Sequence, residues 1–104
     1  MTDEHGPFGT ERDARATRAA ASIRAAFDAN PGVGATEPEA LRLMTEACEA
    51  CGVVLGDYDL SLLRWMARWE TGQVVSLIGI IHRAHEAGKA AAGPNLGEKG
   101  DPNG

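Results

Sequence analysis

Glycine and proline divide this chain into short segments, and that division limits what the chain can fold into. The 13 Gly and five Pro residues lie mostly at the two ends and at the junctions between alanine- and leucine-rich stretches. Each stretch is long enough for a helix of about four turns. With 104 residues in total, the chain has room for one small domain and not for a Rossmann domain or a barrel. We therefore predict an all-α protein, a small bundle of three to four helices.

Four helices are predicted from the positions of the breakers and the spacing of the apolar residues. Thr10 is a candidate N-cap for the first helix, and Thr36 with Glu39 forms a capping-box pattern at the second. Asp57 or Asp59 is expected to cap the third helix. The four predicted helices cover about residues 10–29, 36–51, 57–70 and 72–87.

The predicted domain organisation is based on these helices. Residues 1–9 are polar and rich in breakers, so we interpret them as a flexible arm. Residues 10–87 form the helical domain, with a core over about 36–87. Residues 88–104 contain too few apolar side chains to fold and are expected to be a disordered tail. A core of this size is marginally stable unless a metal, a partner or self-association adds to it.

Charge and the absence of targeting signals argue against several classes of protein. Fifteen acidic and ten basic residues give a net charge of −5, whereas a protein that binds nucleic acid usually presents a basic surface. The first residues carry neither a positive nor an apolar signal region. The longest apolar run, residues 74–81, is far shorter than the roughly 20 residues that span a bilayer. We therefore expect a cytoplasmic protein that does not enter a membrane and keeps its cysteines reduced.

Two pairs of candidate zinc ligands stand near the ends of the second and fourth predicted helices. They are Cys48 with Cys51, and His82 with His85. Helices that run up, down and up place both pairs at one end of the bundle, which permits a Cys2His2 zinc site. The alternative is that the cysteines are small core residues and the histidines are ordinary residues of a helix end. We favour this alternative, so no cofactor is predicted and zinc stays the second hypothesis.

The segment 64–69 combines arginines and tryptophans, each pair spaced four residues apart. Such a segment can form an exposed surface that binds a partner or stacks on bases. It can also place the tryptophans in the core, with the arginine stems along its edge. Because Tyr58 and Leu62 continue the tryptophan stripe, we favour the core placement. The residues concerned are Arg64, Trp65, Arg68 and Trp69.

The fourth predicted helix is apolar around most of its circumference between residues 74 and 81. A recognition helix of a helix-turn-helix protein needs several polar side chains toward the groove, so this helix is not typical of one. A small bundle can hardly cover such a wide apolar surface, and part of it is expected to face another subunit or protein. Ser76 and Gly79 are small enough for close helix approach, and Ile80 is a candidate contact residue.

No residue set in the chain supports catalysis. The sequence has no glycine-rich phosphate loop, no G-x-S-x-G elbow and no H-E-x-x-H motif. Asp57 and Asp59 flank Tyr58 at a helix start, where carboxylates are expected as caps. We therefore predict a protein that is not an enzyme; the rival hypothesis of a small enzyme would need a cleft that gathers Asp57, Asp59, His82 or His85.

The pattern Tyr58-Asp59, then Trp65-x-Ala67-x-Trp69-Glu70, then an aliphatic helix resembles small helical proteins encoded by actinobacteria and by their phages or mobile elements. The resemblance covers about residues 48–87. No activity is established for that group, so the resemblance implies a type of host and not a mechanism.

The combined expectation is a small regulatory or accessory protein that acts by binding another macromolecule. The partner is expected to be a protein or a second copy of the chain, with a homodimer on the fourth helix as the simplest form. The alternative is a zinc-stabilised helical module that touches nucleic acid through Arg64 and Arg68.

Overall fold

The computed structural model describes residues 4–92, which form five α-helices and contain no strand. The prediction of an all-α fold is therefore confirmed. The fifth helix arises because the first predicted helix is divided in two. The helices are α1 (Glu11–Arg15), α2 (Arg18–Ala29), α3 (Glu37–Ala50), α4 (Asp57–Met66) and α5 (Thr71–Ala92).

Thr17 divides the first predicted helix. Its hydroxyl accepts a hydrogen bond from the backbone N–H of Ala20 at 3.1 Å and donates one to the carbonyl of Ala14 at 2.9 Å. A threonine side chain that bonds to nearby backbone groups competes with the helical pattern and favours a cap. Thr17 thus becomes the N-cap of α2, while Thr10 caps α1 as predicted, since it accepts from the N–H of Asp13 at 3.1 Å.

The caps of α3 and α4 differ from the predictions. Thr36 makes no side-chain cap bond, and Glu39 binds the guanidinium of Arg42 instead. The capping-box prediction is therefore wrong, because an ion pair one turn along α3 takes up the Glu39 carboxylate. Gly56 holds the N-cap position of α4, and the Asp59 carboxylate accepts from the Gly56 N–H at 2.9 Å.

The core is built around α5, which contacts α1, α2 and α3. Val74 and Val75 of α5 are almost completely buried, as are Met44 of α3 and Ile23 of α2. Because α1 and α2 contribute buried side chains, the core extends beyond the predicted range of 36–87. Helix α4 packs mainly on α3, so a large part of its surface does not contact the rest of the bundle.

Residues 4–9, predicted as part of a flexible arm, pack against α2 and α5. The Glu4 carboxylate accepts hydrogen bonds from the first free N–H groups of α2, at Arg18 and Ala19, over 2.9 and 3.1 Å. The His5 carbonyl accepts from Nε of Arg83 at 2.8 Å, and Phe8 packs on the core. One carboxylate, one carbonyl and one aromatic ring therefore fix this segment, which we call the N-terminal strap (residues 4–9).

Helix α5 continues through Gly88 to Ala92, so residues 88–92 belong to the helix and not to the predicted tail. The alanines around Gly88 have high helix propensity, and one glycine costs a helix only about 1 kcal/mol. The rest of the predicted tail, 93–104, lies outside the described residues, as do residues 1–3 of the predicted arm. Within residues 4–92, no helix is long and apolar enough to cross a membrane.

Candidate interaction surface and the histidine cluster

An apolar stripe runs along the free side of α4. Tyr58, Leu62 and Trp65 recur at intervals of four and three residues, so they lie on one face of α4, and Trp69 continues the row just beyond the end of the helix. Their exposed fractions are 89% for Tyr58, 51% for Leu62, 57% for Trp65 and 38% for Trp69. We call these four side chains the α4 stripe. The prediction that both tryptophans belong to the core is wrong, because α4 turns a different side toward the bundle.

The buried side of α4 is formed by Leu63, Met66 and the adjoining Ala67. Helix α4 therefore has two apolar faces, and only the one with the smaller side chains packs on the core. The exposed placement, which the sequence also allowed, is the one found in the structure. A shallow cleft of about 370 Å³ lies on the stripe between Tyr58 and Trp65.

The α4 stripe is shaped by its aromatic rings. The indoles of Trp65 and Trp69 meet edge to face, with ring centroids 5.2 Å apart. This contact orders two large side chains without burying them. Val53 and Val54, in the loop before α4, are exposed as well. The region thus collects most of the exposed large apolar side chains of the described residues.

Charged residues flank the stripe. Asp57 stands at the start of α4 and Arg64 in its last turn, and Arg68 follows the helix. All three are exposed. Arg68 forms an ion pair with Glu37 of α3, at 3.3 Å between Nε and Oε2. The predicted arginines therefore lie at the edge of the apolar surface, as expected for the stems and heads of such residues.

The predicted association face of α5 is largely used inside the molecule. A Cβ atom on Gly79 would stand 2.6 Å from the carbonyl oxygen of His5, so this glycine lets the N-terminal strap approach α5 closely. Ser76 is half-buried and lies beside Phe8 at a cleft edge. Ile80 remains 53% exposed. The close approach at Gly79 is therefore made by a non-helical segment of the same chain, and not by the helix of another subunit that the sequence analysis expected.

The candidate zinc ligands are brought together only in part. The Sγ atom of Cys51 lies 3.6 Å from Nδ1 of His82, so the end of α3 does meet α5 as the up-down-up arrangement requires. Cys48 is buried among apolar residues. Among residues 4–92, no three Cys, His, Asp or Glu side chains converge in a way that could hold a metal ion.

A second histidine, which sequence reasoning missed, lies against His82. The ring of His5 stacks on the ring of His82, with centroids 3.8 Å apart and planes 3° from parallel. His5 reaches this position because the strap is fixed at the Arg83 guanidinium. The only sequence signal was the glycine at position 79, which marks close backbone approach without naming the partner.

We call His5, His82 and Cys51 the histidine cluster. Burial shifts the pKa of His82 and also the pKa of Cys48, which lies near Cys51. Burial raises the pKa of the Cys48 thiol, and the neighbouring Cys51 adds to the effect, so this thiol is not an activated nucleophile. Burial also lowers the pKa of His82, and the charges of His5 and His85 lower it further, against an opposing effect of Glu86. Neutral His82 is therefore the form that fits the folded protein.

Acidification is expected to destabilise the fold through His82. Its folded pKa lies below the unfolded value of about 6.5, so the unfolded chain takes up the proton first as pH falls. The contribution of neutral His82 to the free energy of unfolding is fully present above the unfolded pKa. It is lost as pH falls through the lowered folded pKa. The groups near His82 are His5, His85, Glu86, Cys51 and Arg83.

Thermal unfolding between pH 7.5 and 5 measures this effect. The midpoint is expected to fall with pH in the natural protein and to fall less in His82→Gln. His85→Gln is the comparison variant: its charge is a lesser cause of the lowered His82 pKa, so it is expected to reduce the pH dependence less than His82→Gln does. Equal pH dependence in the natural protein and His82→Gln would show that another group is responsible.

No protein-family model, curated protein or solved structure matches the chain. The resemblance to helical proteins of actinobacteria and their phages therefore stays a prediction, and a function can be inferred only from the geometry of the α4 stripe and the histidine cluster.

Proposed function

We propose that this protein is a non-enzymatic regulatory or accessory protein that binds another protein through the α4 stripe. The observation that carries the proposal is the row of large apolar side chains left exposed at Tyr58, Leu62 and Trp65 on one helix face. Removing apolar area from water is favourable by about 25 cal/mol per Å². A partner that covers this row of side chains therefore stabilises the complex.

The composition of the surface also supports protein binding. Tyrosine, tryptophan and arginine are the residue types that contribute most to protein–protein interfaces, and they do so from a central apolar cluster with a polar rim. Here Tyr58, Trp65 and Trp69 form the cluster, and Arg64 and Arg68 stand at its rim. A continuous row of this kind is rare on a small protein without a partner.

The zinc-stabilised module that touches nucleic acid has less support. Arg68 is already paired with Glu37, and Asp57 and Asp59 place negative charge on α4. Of the two arginines only Arg64 lies on α4 itself, together with these two carboxylates. Since phosphate binding depends on concentrated positive charge, this surface is a poor match for a nucleic-acid backbone.

Site-specific photo-crosslinking in the cells that naturally produce the protein tests the proposal. A benzophenone amino acid in place of Trp65 keeps an aromatic ring in the stripe and bonds to whatever covers it. We expect a discrete adduct with a protein, either a second copy or a different chain, which is identified by its mass.

The matched control carries the same amino acid in place of Ala25, an exposed residue on the outer side of α2. Adducts at position 65 that are absent at position 25 support the proposal. An empty result at position 65, or equal yields at the two positions, contradicts it.

A further inference from the structure

We propose that the partner of the α4 stripe is a second copy of this chain, bound with the two α4 helices antiparallel about a two-fold axis. This inference rests on the proposed function, because it names the partner of the same surface. It differs from the expected dimer on the fourth predicted helix, whose small-residue face is covered by the N-terminal strap.

A second row of side chains runs beside the stripe and carries opposite charges at its two ends. Asp57, Ser61 and Arg64 each stand one residue before a member of the stripe, so they share one flank of α4. Asp57 and Arg64 are seven residues apart, which brings them nearly into line along the helix. The flank is therefore acidic at the start of α4, small in the middle and basic at the end.

This charge order is complementary to itself in one orientation only. A two-fold axis perpendicular to two antiparallel helices places the same flank of each copy side by side and reverses its direction. Asp57 of one copy then stands near Arg64 of the other, and the pair occurs twice. Flanking charge pairs of this kind determine partner choice and orientation when helices associate.

A parallel pair is disfavoured by the same residues. It would bring the two N-terminal ends of α4 together, with Asp57 of one copy beside the opposite flank of the other. That flank begins with Asp59, which follows Tyr58, so carboxylates would face carboxylates. The dipoles of the two helices also attract each other in the antiparallel pair and repel each other in the parallel pair.

The position of α4 allows two copies to meet there. The helix packs mainly on α3, and the helical part of its stripe extends over about 10 Å from Tyr58 to Trp65. Only one helix face of each copy takes part, so we expect a contact at the small end of the range for specific interfaces. Two chains of net charge −5 also repel each other. We therefore expect a reversible dimer with a dissociation constant on the order of 10 μM.

Charge exchange tests the arrangement on the full-length protein. The variants are Asp57→Lys and Arg64→Glu; Arg64 is chosen because Arg68 has an ion pair within its own chain. Sedimentation velocity over about 1–300 μM is expected to show that each single variant dimerises roughly tenfold more weakly than the natural protein, since two like-charge contacts replace two attractive ones.

An equimolar mixture of the two variants restores both attractive contacts in the mixed dimer. The same holds for the double variant Asp57→Lys/Arg64→Glu with itself. We expect both to dimerise within about threefold of the natural protein. Helical circular dichroism confirms that each variant is folded, and restoration in the mixture excludes a loss of folding as the cause of the single effects.

Two results would overturn the inference. One is a natural protein that stays monomeric up to about 300 μM, well above the expected dissociation constant; the other is a dimer whose affinity the single variants do not change or the mixture does not restore. If position 65 nevertheless crosslinks to a different protein in cells, the proposed function stands and the second copy is excluded as the partner. If it crosslinks to nothing, both fail.

Discussion

Leu63→Ala is expected to lower the free energy of unfolding by about 2–5 kcal/mol, the range found when a buried leucine is cut back to alanine. Leu63 is 6% exposed and lies on the side of α4 that packs on the bundle. The substitution removes its contacts and leaves a cavity that the short helix can close only in part. Urea unfolding followed by circular dichroism measures the loss.

The neighbouring residue supplies a matched control. Leu62→Ala makes the same chemical change one position earlier, but Leu62 is 51% exposed and belongs to the α4 stripe. It is expected to change the free energy of unfolding by less than about 1 kcal/mol and to weaken association through the stripe. Equal destabilisation by the two variants would mean that the two faces of α4 are not distinguished as described.

Gly79→Ala is expected to destabilise the full-length protein by about 1–3 kcal/mol, although alanine is the better helix former. The new Cβ would lie 2.6 Å from the His5 carbonyl oxygen and 3.1 Å from the Phe8 ring. Backbone cannot move aside as a side chain can, so the N-terminal strap has to leave α5. Its departure also removes the His5 charge, which is one of the causes that lower the pKa of His82.

Removal of the strap should reverse the sign of this substitution. In a chain that lacks residues 1–9, Gly79→Ala no longer meets His5 and gains only helix propensity, about 0.5–1 kcal/mol. Chemical unfolding of the four proteins, with and without the strap and the substitution, gives both values. A stabilising effect in the full-length protein would show that the strap does not pack on Gly79.

The helices themselves could largely be predicted from the sequence, because glycine and proline mark their ends and the alanine-rich stretches between them have strong helix propensity. The missed boundaries are explained by single side chains. Thr17 redirects its hydroxyl to the backbone, and Glu39 prefers Arg42 to the cap.

The α4 stripe and the packing of the N-terminal strap on α5 were harder to predict, because both depend on tertiary contacts that the local sequence pattern does not determine. Helix α4 has two apolar faces, and periodicity alone does not say which one meets α3. The larger side chains of Tyr58 and Trp65 suggested the core, whereas Leu63 and Met66 occupy it. The strap likewise depends on contacts over more than 70 residues of sequence, from His5 to Arg83, which no local pattern records.

The predicted meeting of the cysteine and histidine pairs is found only in part. The up-down-up arrangement correctly placed the end of α3 near α5, and Cys51 does meet His82. The third side chain beside Cys51 and His82 is His5, whose ring stacks on the ring of His82. A residue from a segment without periodicity could not be assigned to a site from spacing alone.

A crosslinking scan along α4 in the producing cells is the most direct test of a protein-binding role for the stripe. The photo-reactive residue is placed in turn at Tyr58, Leu62 and Trp65, and at Ala21 and Ala25 on the outer side of α2 as controls. We expect protein adducts at the three stripe positions and none above background on α2. Yields that are equal on both helices, or absent from α4, would contradict a binding role for this surface.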